Sequence, residues 1–175
     1  EEVGSPNFAE TLKKIGPDAA TDAVIVSDTV WVSRQQPSLS SGLRGLQRFN
    51  FFLETAETDQ HSGTTGGVAR NPVAELAQLA SEICDARTGR IRIPGFYEQV
   101  AKLSARETAD FKKAGFSVKR FMSDHGFKSI RTKNPLDVMK RIWALPTFEV
   151  HGLVGGYTGP GVKTVIPPRA ELKAT

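Results

Sequence analysis

The spacing of apolar positions predicts several helices along the chain. Residues 5–15 predict a short one, because Ser5 suits an N-cap, Pro6 suits the first turn, and the apolar residues that follow recur every three or four positions. A second helix begins at Asn71-Pro72, with its apolar residues on one stripe: Val73, Leu76, Leu79 and Ile83. Ser104 and Glu107 match a capping box, and Asn134-Pro135 repeats the Asn-Pro start. Residues 104–144 are therefore predicted to be mostly helical.

A second spacing, the alternation of apolar and polar residues, predicts strands. It runs through residues 42–56 and 146–153, briefly through 90–94, and begins again at Val165. Residues 22–28 are instead a short continuous apolar run that predicts a buried strand ending at Asp28. That carboxylate is either a ligand at the end of a strand or an ordinary turn residue. The order of elements predicts an α+β fold, with helices on one face of an antiparallel sheet.

Composition narrows the functional classes only slightly. With 39% hydrophobic and 24% charged residues, the chain can form a packed core. Its net charge is +4, but the basic residues are scattered, which favours a solvated surface over a nucleic-acid interface. The single cysteine, Cys84, lies in an apolar helical pattern and fits a small core residue better than a nucleophile. No apolar run reaches the roughly 18 residues of a membrane span.

The candidate chemistry centres on His61, in the polar, glycine-rich stretch Asp59–Gly67. Loops of this kind can present an imidazole to a ligand. His125 and His151 show no metal-binding spacing to His61 or to each other, so a hydrogen-bonded structural role is the default for both. The glycine-rich loop 155–161 does not match a phosphate-binding P-loop, because Val162 separates Gly161 from the lysine and no helix pattern follows.

Six segments in order resemble the zinc-dependent peptidases and deacylases that include carnosinases, cytosolic nonspecific dipeptidases, acetylornithine deacetylase and carboxypeptidase G. The dipeptidase branch is the most similar, and the resemblance covers nearly the whole chain. The segments are Glu1–Ser5, Ala23–Thr29 (AVIVSDT), Ser41–Gly45, Asp59–Gly67, Ile91–Tyr97 (IRIPGFY) and His151–Pro167.

The resemblance implies a ferredoxin-like lid or dimerisation domain at 41–175, with a mostly helical insertion at about 90–145, preceded at 1–40 by part of a catalytic domain and a linker. It implies that Glu1 is the general base, that Glu2 and Asp28 each bind one of two divalent metal ions, and that these ions are zinc. It further implies that His61 reaches the partner subunit's site and stabilises the oxyanion, and that Thr164 binds substrate.

The resemblance also implies a cytoplasmic homodimeric enzyme that acts on peptides or N-acyl amino acids, without nucleic acid or membrane as a partner. In that family the remaining metal ligands lie outside the stretch that corresponds to this chain. We therefore expect the 175-residue chain alone to bind no metal and to be inactive. The alternative hypothesis is a stand-alone protein-interaction module, which would need neither Glu1-Glu2 nor the segment Lys163–Pro167.

Overall fold

The computed structural model describes residues 5–16, 22–23, 37–38, 40 and 42–175, and the chain divides into two compact units, residues 1–40 and 41–175. In the first unit, helix α1 (Phe8–Ile15) ends at Gly16, as predicted. Its N-cap is Asn7 rather than the predicted Ser5, and the Asn7 carbonyl accepts the first-turn hydrogen bond from the backbone N–H of Thr11 at 3.0 Å. The strand predicted at 22–28 lies outside the described residues except for its first two.

The second unit has an α+β architecture, which confirms the predicted fold class. Its helices are α2 (Ser62–Thr65), α3 (Pro72–Ile83), α4 (Ala105–Lys113), α5 (Val118–Asp124) and α6 (Pro135–Trp143). Its strands are β1 (Phe49–Glu54), β2 (Gln60–His61), β3 (Val150–Gly155), β4 (Val165–Ile166) and β5 (Arg169–Ala174).

Helix α3 covers one face of an antiparallel sheet with the order β1-β5-β3, and we call this assembly the α3 layer. Leu172 of the central strand is 1% exposed, pairs with Phe51 on one side and with Leu153 on the other, and lies in a core with Leu76. Gly155 permits the close approach of α3, because an added Cβ would lie 2.8 Å from a side-chain carbon of Val73. The layer thus forms as the apolar stripe and the strand alternation predict.

Four strand predictions need correction, and the one at 90–94 is described with the helical segment below. The long strand predicted at 42–56 is shortened to β1, which pairs with β5 from Phe49 opposite Ala174 to Glu54 opposite Arg169. The strand predicted at 146–153 lies at 150–155, with a bulge between Val150 and Gly152 in its pairing to β5. The final strand is split into β4 and β5, because Pro167 and Pro168 offer no backbone N–H to a ladder.

The segment between α3 and β3 contains α4, α5 and α6. The capping box is confirmed, since the Ser104 hydroxyl accepts from the backbone N–H of Glu107 and the Glu107 carboxylate accepts from that of Ser104. Trp143 of α6 meets Phe111 of α4 edge to face, with ring centroids 5.3 Å apart. The strand predicted at 90–94 is reduced to a single bridge between Ile91 and Cys84, and the backbone N–H of Ile91 donates to the Tyr97 hydroxyl at 3.0 Å.

Candidate functional site

His61 ends strand β2 and caps the short helix α2. Its Nδ1 accepts a hydrogen bond from the backbone N–H of Gly63 at 2.9 Å. Its carbonyl oxygen accepts from the hydroxyls of Thr64 and Thr65, at 3.1 and 3.0 Å. A Cβ at position 63 would lie 2.6 Å from the imidazole Cε1, so a larger residue there would displace the ring from this position. The small residues that follow His61 therefore orient its ring.

This capping bond also decides which ring nitrogen of His61 can donate. Because Nδ1 is the acceptor, the neutral ring carries its hydrogen on Nε2. His61 is exposed, so the ring is not enclosed in the core of its own unit. The Nε2–H group can therefore donate to an oxygen atom of another molecule, including one that gains negative charge during a reaction.

The pairing of strands β2 and β4 brings Thr164 close to His61. Strands β2 and β4 are antiparallel, with His61 opposite Val165, and the carbonyl of Thr164 accepts from the backbone N–H of Ser62 at 3.0 Å. Thr164 is exposed, as is His61. We call residues 59–66 together with 155–166 the His61–Thr164 junction.

The junction contains three side chains that sequence reasoning did not assign to the site. Lys163 Nζ lies 3.1 Å from Asp59 Oδ2, and it lies 6.0 Å from the ring centroid of Tyr157. The Tyr157 hydroxyl donates to the carbonyl of Pro160 at 2.8 Å, which closes the glycine-rich loop on itself. One signal in the sequence could have suggested this pairing, since opposite charges stand two residues before His61 and one residue before Thr164.

The predicted metal-binding and base residues Glu1, Glu2 and Asp28 lie outside the described residues. Within the part of the chain that the structure does describe, no three histidine, cysteine, aspartate or glutamate side chains are grouped so that they could hold a metal ion. The described residues therefore do not form a site for the implied ions.

The other two histidines have structural partners. His125 Nδ1 lies 3.0 Å from the carbonyl oxygen of Phe121, and its ring stacks on that of Phe127. His151 Nε2 lies 2.7 Å from the hydroxyl of Thr175. Their default structural roles agree with these contacts.

Two surface cavities lie away from the His61–Thr164 junction. One, of about 590 Å³, is formed by residues 90–98, and the other, of about 780 Å³, lies between β1 and α3. Neither of these two cavities is lined by His61 or Thr164, and both residues are exposed. In the described ranges, no helix is both long enough and apolar enough to cross a bilayer.

Comparison with known proteins gives a consistent family. Residues 41–175 match the model of the M20 peptidase dimerisation domain. The chain is 33% identical to the Cys-Gly metallodipeptidase DUG1 of Candida albicans over 175 residues, which is 99% of this chain and 36% of that protein. It is 29% identical to the human Beta-Ala-His dipeptidase over 171 residues, which is 97% of this chain and 34% of that protein.

A solved structure of the dipeptidase Dug1p from Saccharomyces cerevisiae is also similar. It superimposes with a TM-score of 0.83 at 35% identity, over 99% of this chain and 36% of that chain. The chain thus spans about a third of the length of the curated relatives that it matches.

Proposed function

Because the chain belongs to the M20 peptidase dimerisation domain family, we propose that it is the dimerisation and lid domain of a metal-dependent dipeptidase. We use the term parent for the longer enzyme of which this chain would be one domain. The parent would hydrolyse an amide bond next to a free carboxylate. The observation that carries this proposal is the His61–Thr164 junction, where an exposed imidazole with a donor at Nε2 lies near an exposed threonine whose carbonyl accepts from the backbone N–H of Ser62.

In this proposal His61 acts on the scissile carbonyl. Its Nε2–H donates to the carbonyl oxygen, which becomes negatively charged as the tetrahedral intermediate forms. A donor that is already oriented by the Gly63 bond needs little reorganisation during this step. Thr164, whose carbonyl accepts from the backbone N–H of Ser62, positions the substrate through its hydroxyl.

The rest of the catalytic centre belongs to the parent. We propose that Glu1 is the general base. Glu2 and Asp28 each bind one of two divalent ions, together with residues of the catalytic domain, and we propose that these ions are zinc. Bound divalent ions of this kind polarise a carbonyl and lower the pKa of water. The metallodipeptidase relative supports the use of metal, and the family resemblance supports the two ions and the residue roles.

We further propose that the parent is a cytoplasmic homodimer in which residues 1–40 belong to the catalytic domain and 41–175 to the lid, with an insertion at about 90–145. The family description supports dimerisation. Because β1 and β3 are the outer strands of the sheet, either edge can extend the sheet across a two-fold axis. The open position of His61 is consistent with a ring that completes the active site of a second subunit.

The test is an assay of the purified parent against dipeptides and N-acyl amino acids, with zinc, manganese or cobalt supplied. We expect metal-dependent hydrolysis of dipeptides that a chelator abolishes, and no hydrolysis by the 175-residue chain alone. A parent without activity on any member of the panel, or an active 175-residue chain, would contradict the proposal. Binding of a partner protein by an inactive parent would favour an interaction module instead.

A further inference from the structure

The backbone pairing within the His61–Thr164 junction is too short to fix it firmly. It consists of two residue pairs between β2 and β4 and the Ser62–Thr164 bond. Two-stranded ladders are marginal in water even when they are longer than this. Beyond the ladder, the chain turns sharply, because the backbone N–H of Val165 donates to the carbonyl of Lys163. A side-chain contact between the two segments would add to the ladder and to the buried Ile166 in holding His61 and Thr164 at a constant separation.

The Lys163–Asp59 ion pair is such a contact. Its two residues belong to the two segments of the junction, Asp59 directly before β2 and Lys163 directly before Thr164, and its N–O distance is 3.1 Å. Within the described residues, it is the one side-chain hydrogen bond that joins the two segments. The ring of Tyr157 lies near the same ammonium group, at 6.0 Å, a distance at which a cation is attracted to an aromatic face. Lys163 is thus held by a carboxylate and a ring.

We propose that Lys163 and Asp59 are positioning residues for the reaction of the parent, acting through His61 and Thr164 rather than on the substrate. This inference rests on the proposed function. Both side chains are about half exposed, at 53% and 47%, so the pair contributes little to global stability. A misplacement of about 1 Å at a catalytic group can nevertheless cost about a hundredfold in rate. The pair therefore affects turnover far more than folding.

The experiment compares single and exchanged variants in the full-length parent. Asp59→Asn and Lys163→Gln should each lower kcat about tenfold to a hundredfold, with KM changed less than about threefold and the melting temperature nearly unchanged. The exchanged double variant, with Asp59→Lys and Lys163→Asp, should recover most of the lost kcat, because it restores an ion pair across the same gap. Single variants that retain kcat within about twofold overturn the inference.

A matched control comes from a second exposed ion pair, between Arg70 and Glu75 at the start of α3. Its side chains are 64% and 36% exposed, similar to those of the junction pair, but it connects neighbouring residues outside the junction. Glu75→Gln should leave kcat unchanged. An equal loss of kcat in Glu75→Gln would show a general charge effect and would also overturn the inference.

A spectroscopic measurement separates this inference from the proposed function. The ring ¹⁵N signals of His61 in the parent, assigned with His61→Ala, report the Nδ1 acceptor state that Gly63 imposes. Asp59→Asn and Lys163→Gln should shift these signals, and Glu75→Gln should not. If the wild-type parent hydrolyses no dipeptide, the proposed function fails while this spectrum still tests the ion pair. Unchanged His61 signals in both junction variants overturn the inference.

Discussion

The α3 layer and the His61–Thr164 junction hold their residues in place by different means. In the α3 layer, Leu172 is 1% exposed and Ala170 is 2% exposed, so burial sets their positions. In the junction, His61 and Thr164 are exposed, and backbone hydrogen bonds and one ion pair set theirs. The comparison teaches that stability and proposed chemistry reside in different residues, so single substitutions should affect one with little effect on the other.

The largest effect on stability should come from Leu172→Ala. The side chain is buried at the centre of the sheet, and its truncation leaves a cavity beneath α3, so the free energy of unfolding should fall by about 2–5 kcal/mol. Denaturant unfolding followed by circular dichroism measures this change. Leu43→Ala is the matched control, because Leu43 is 87% exposed and its truncation should cost less than about 0.5 kcal/mol. Equal losses in the two variants would contradict burial as the source of stability.

His61→Ala should lower activity and leave stability nearly unchanged, in contrast to Leu172→Ala. Removal of one oxyanion donor typically lowers kcat by about 10²–10³-fold, and we expect that loss in the parent enzyme. The denaturant midpoint should hardly change, because the ring is exposed. His125→Ala serves as the control, since its ring contacts Phe121 and Phe127 outside the junction. A kcat for His61→Ala close to that of the wild type would remove the proposed role.

The smallest expected effect is a change of folding stability with pH. It tests whether charged groups outside the α3 layer contribute to stability. The described core contains no buried charged group, so pH dependence should come from polar turns. In one such turn the backbone N–H of Thr88 and the guanidinium of Arg92 lower the pKa of Asp85 from 3.8 to about 2. The stabilisation by this carboxylate is therefore complete above about pH 4 and disappears as the pH falls towards about 2.

The measurement is the unfolding midpoint of the wild type and of Asp85→Asn as a function of pH. The wild type should be the more stable protein near neutral pH, and the difference should narrow between about pH 4 and about pH 2. A difference that is independent of pH would show that Asp85 acts through its shape and not through its charge.

Local rules in the sequence predicted the beginnings of the helices well. Asn71 accepts from two backbone N–H groups of α3, and Asn134 accepts from that of Asp137 in α6, as the Asn-Pro pairs indicate. A cap of this kind acts within four residues, so it can be read from the sequence. Strand ends were less predictable, because the extent of β1 depends on its pairing with β5, which lies far away in the sequence.

The candidate site was predictable in part. The glycine-rich surroundings of His61 indicated an exposed ring, and the resemblance identified Thr164. The ion pair between Asp59 and Lys163 joins residues that are 104 positions apart, so the only signal in the sequence is the pair of opposite charges near His61 and Thr164. Glu1, Glu2 and Asp28 stay predictions, since they lie outside the described residues.

The strand order has a consequence for folding. Among the three described strands of this sheet, the central one, β5, comes last in the chain, so residues 49–54 and the apolar stripe of α3 can pack around it only after residues 169–174 are synthesised. Contacts so distant along the chain slow folding, whereas α4, α5 and α6 form from local contacts. Before β5 is synthesised, Phe51 and Leu53 lack their core partners and are exposed. A chaperone that binds apolar segments would therefore matter most at this stage of translation.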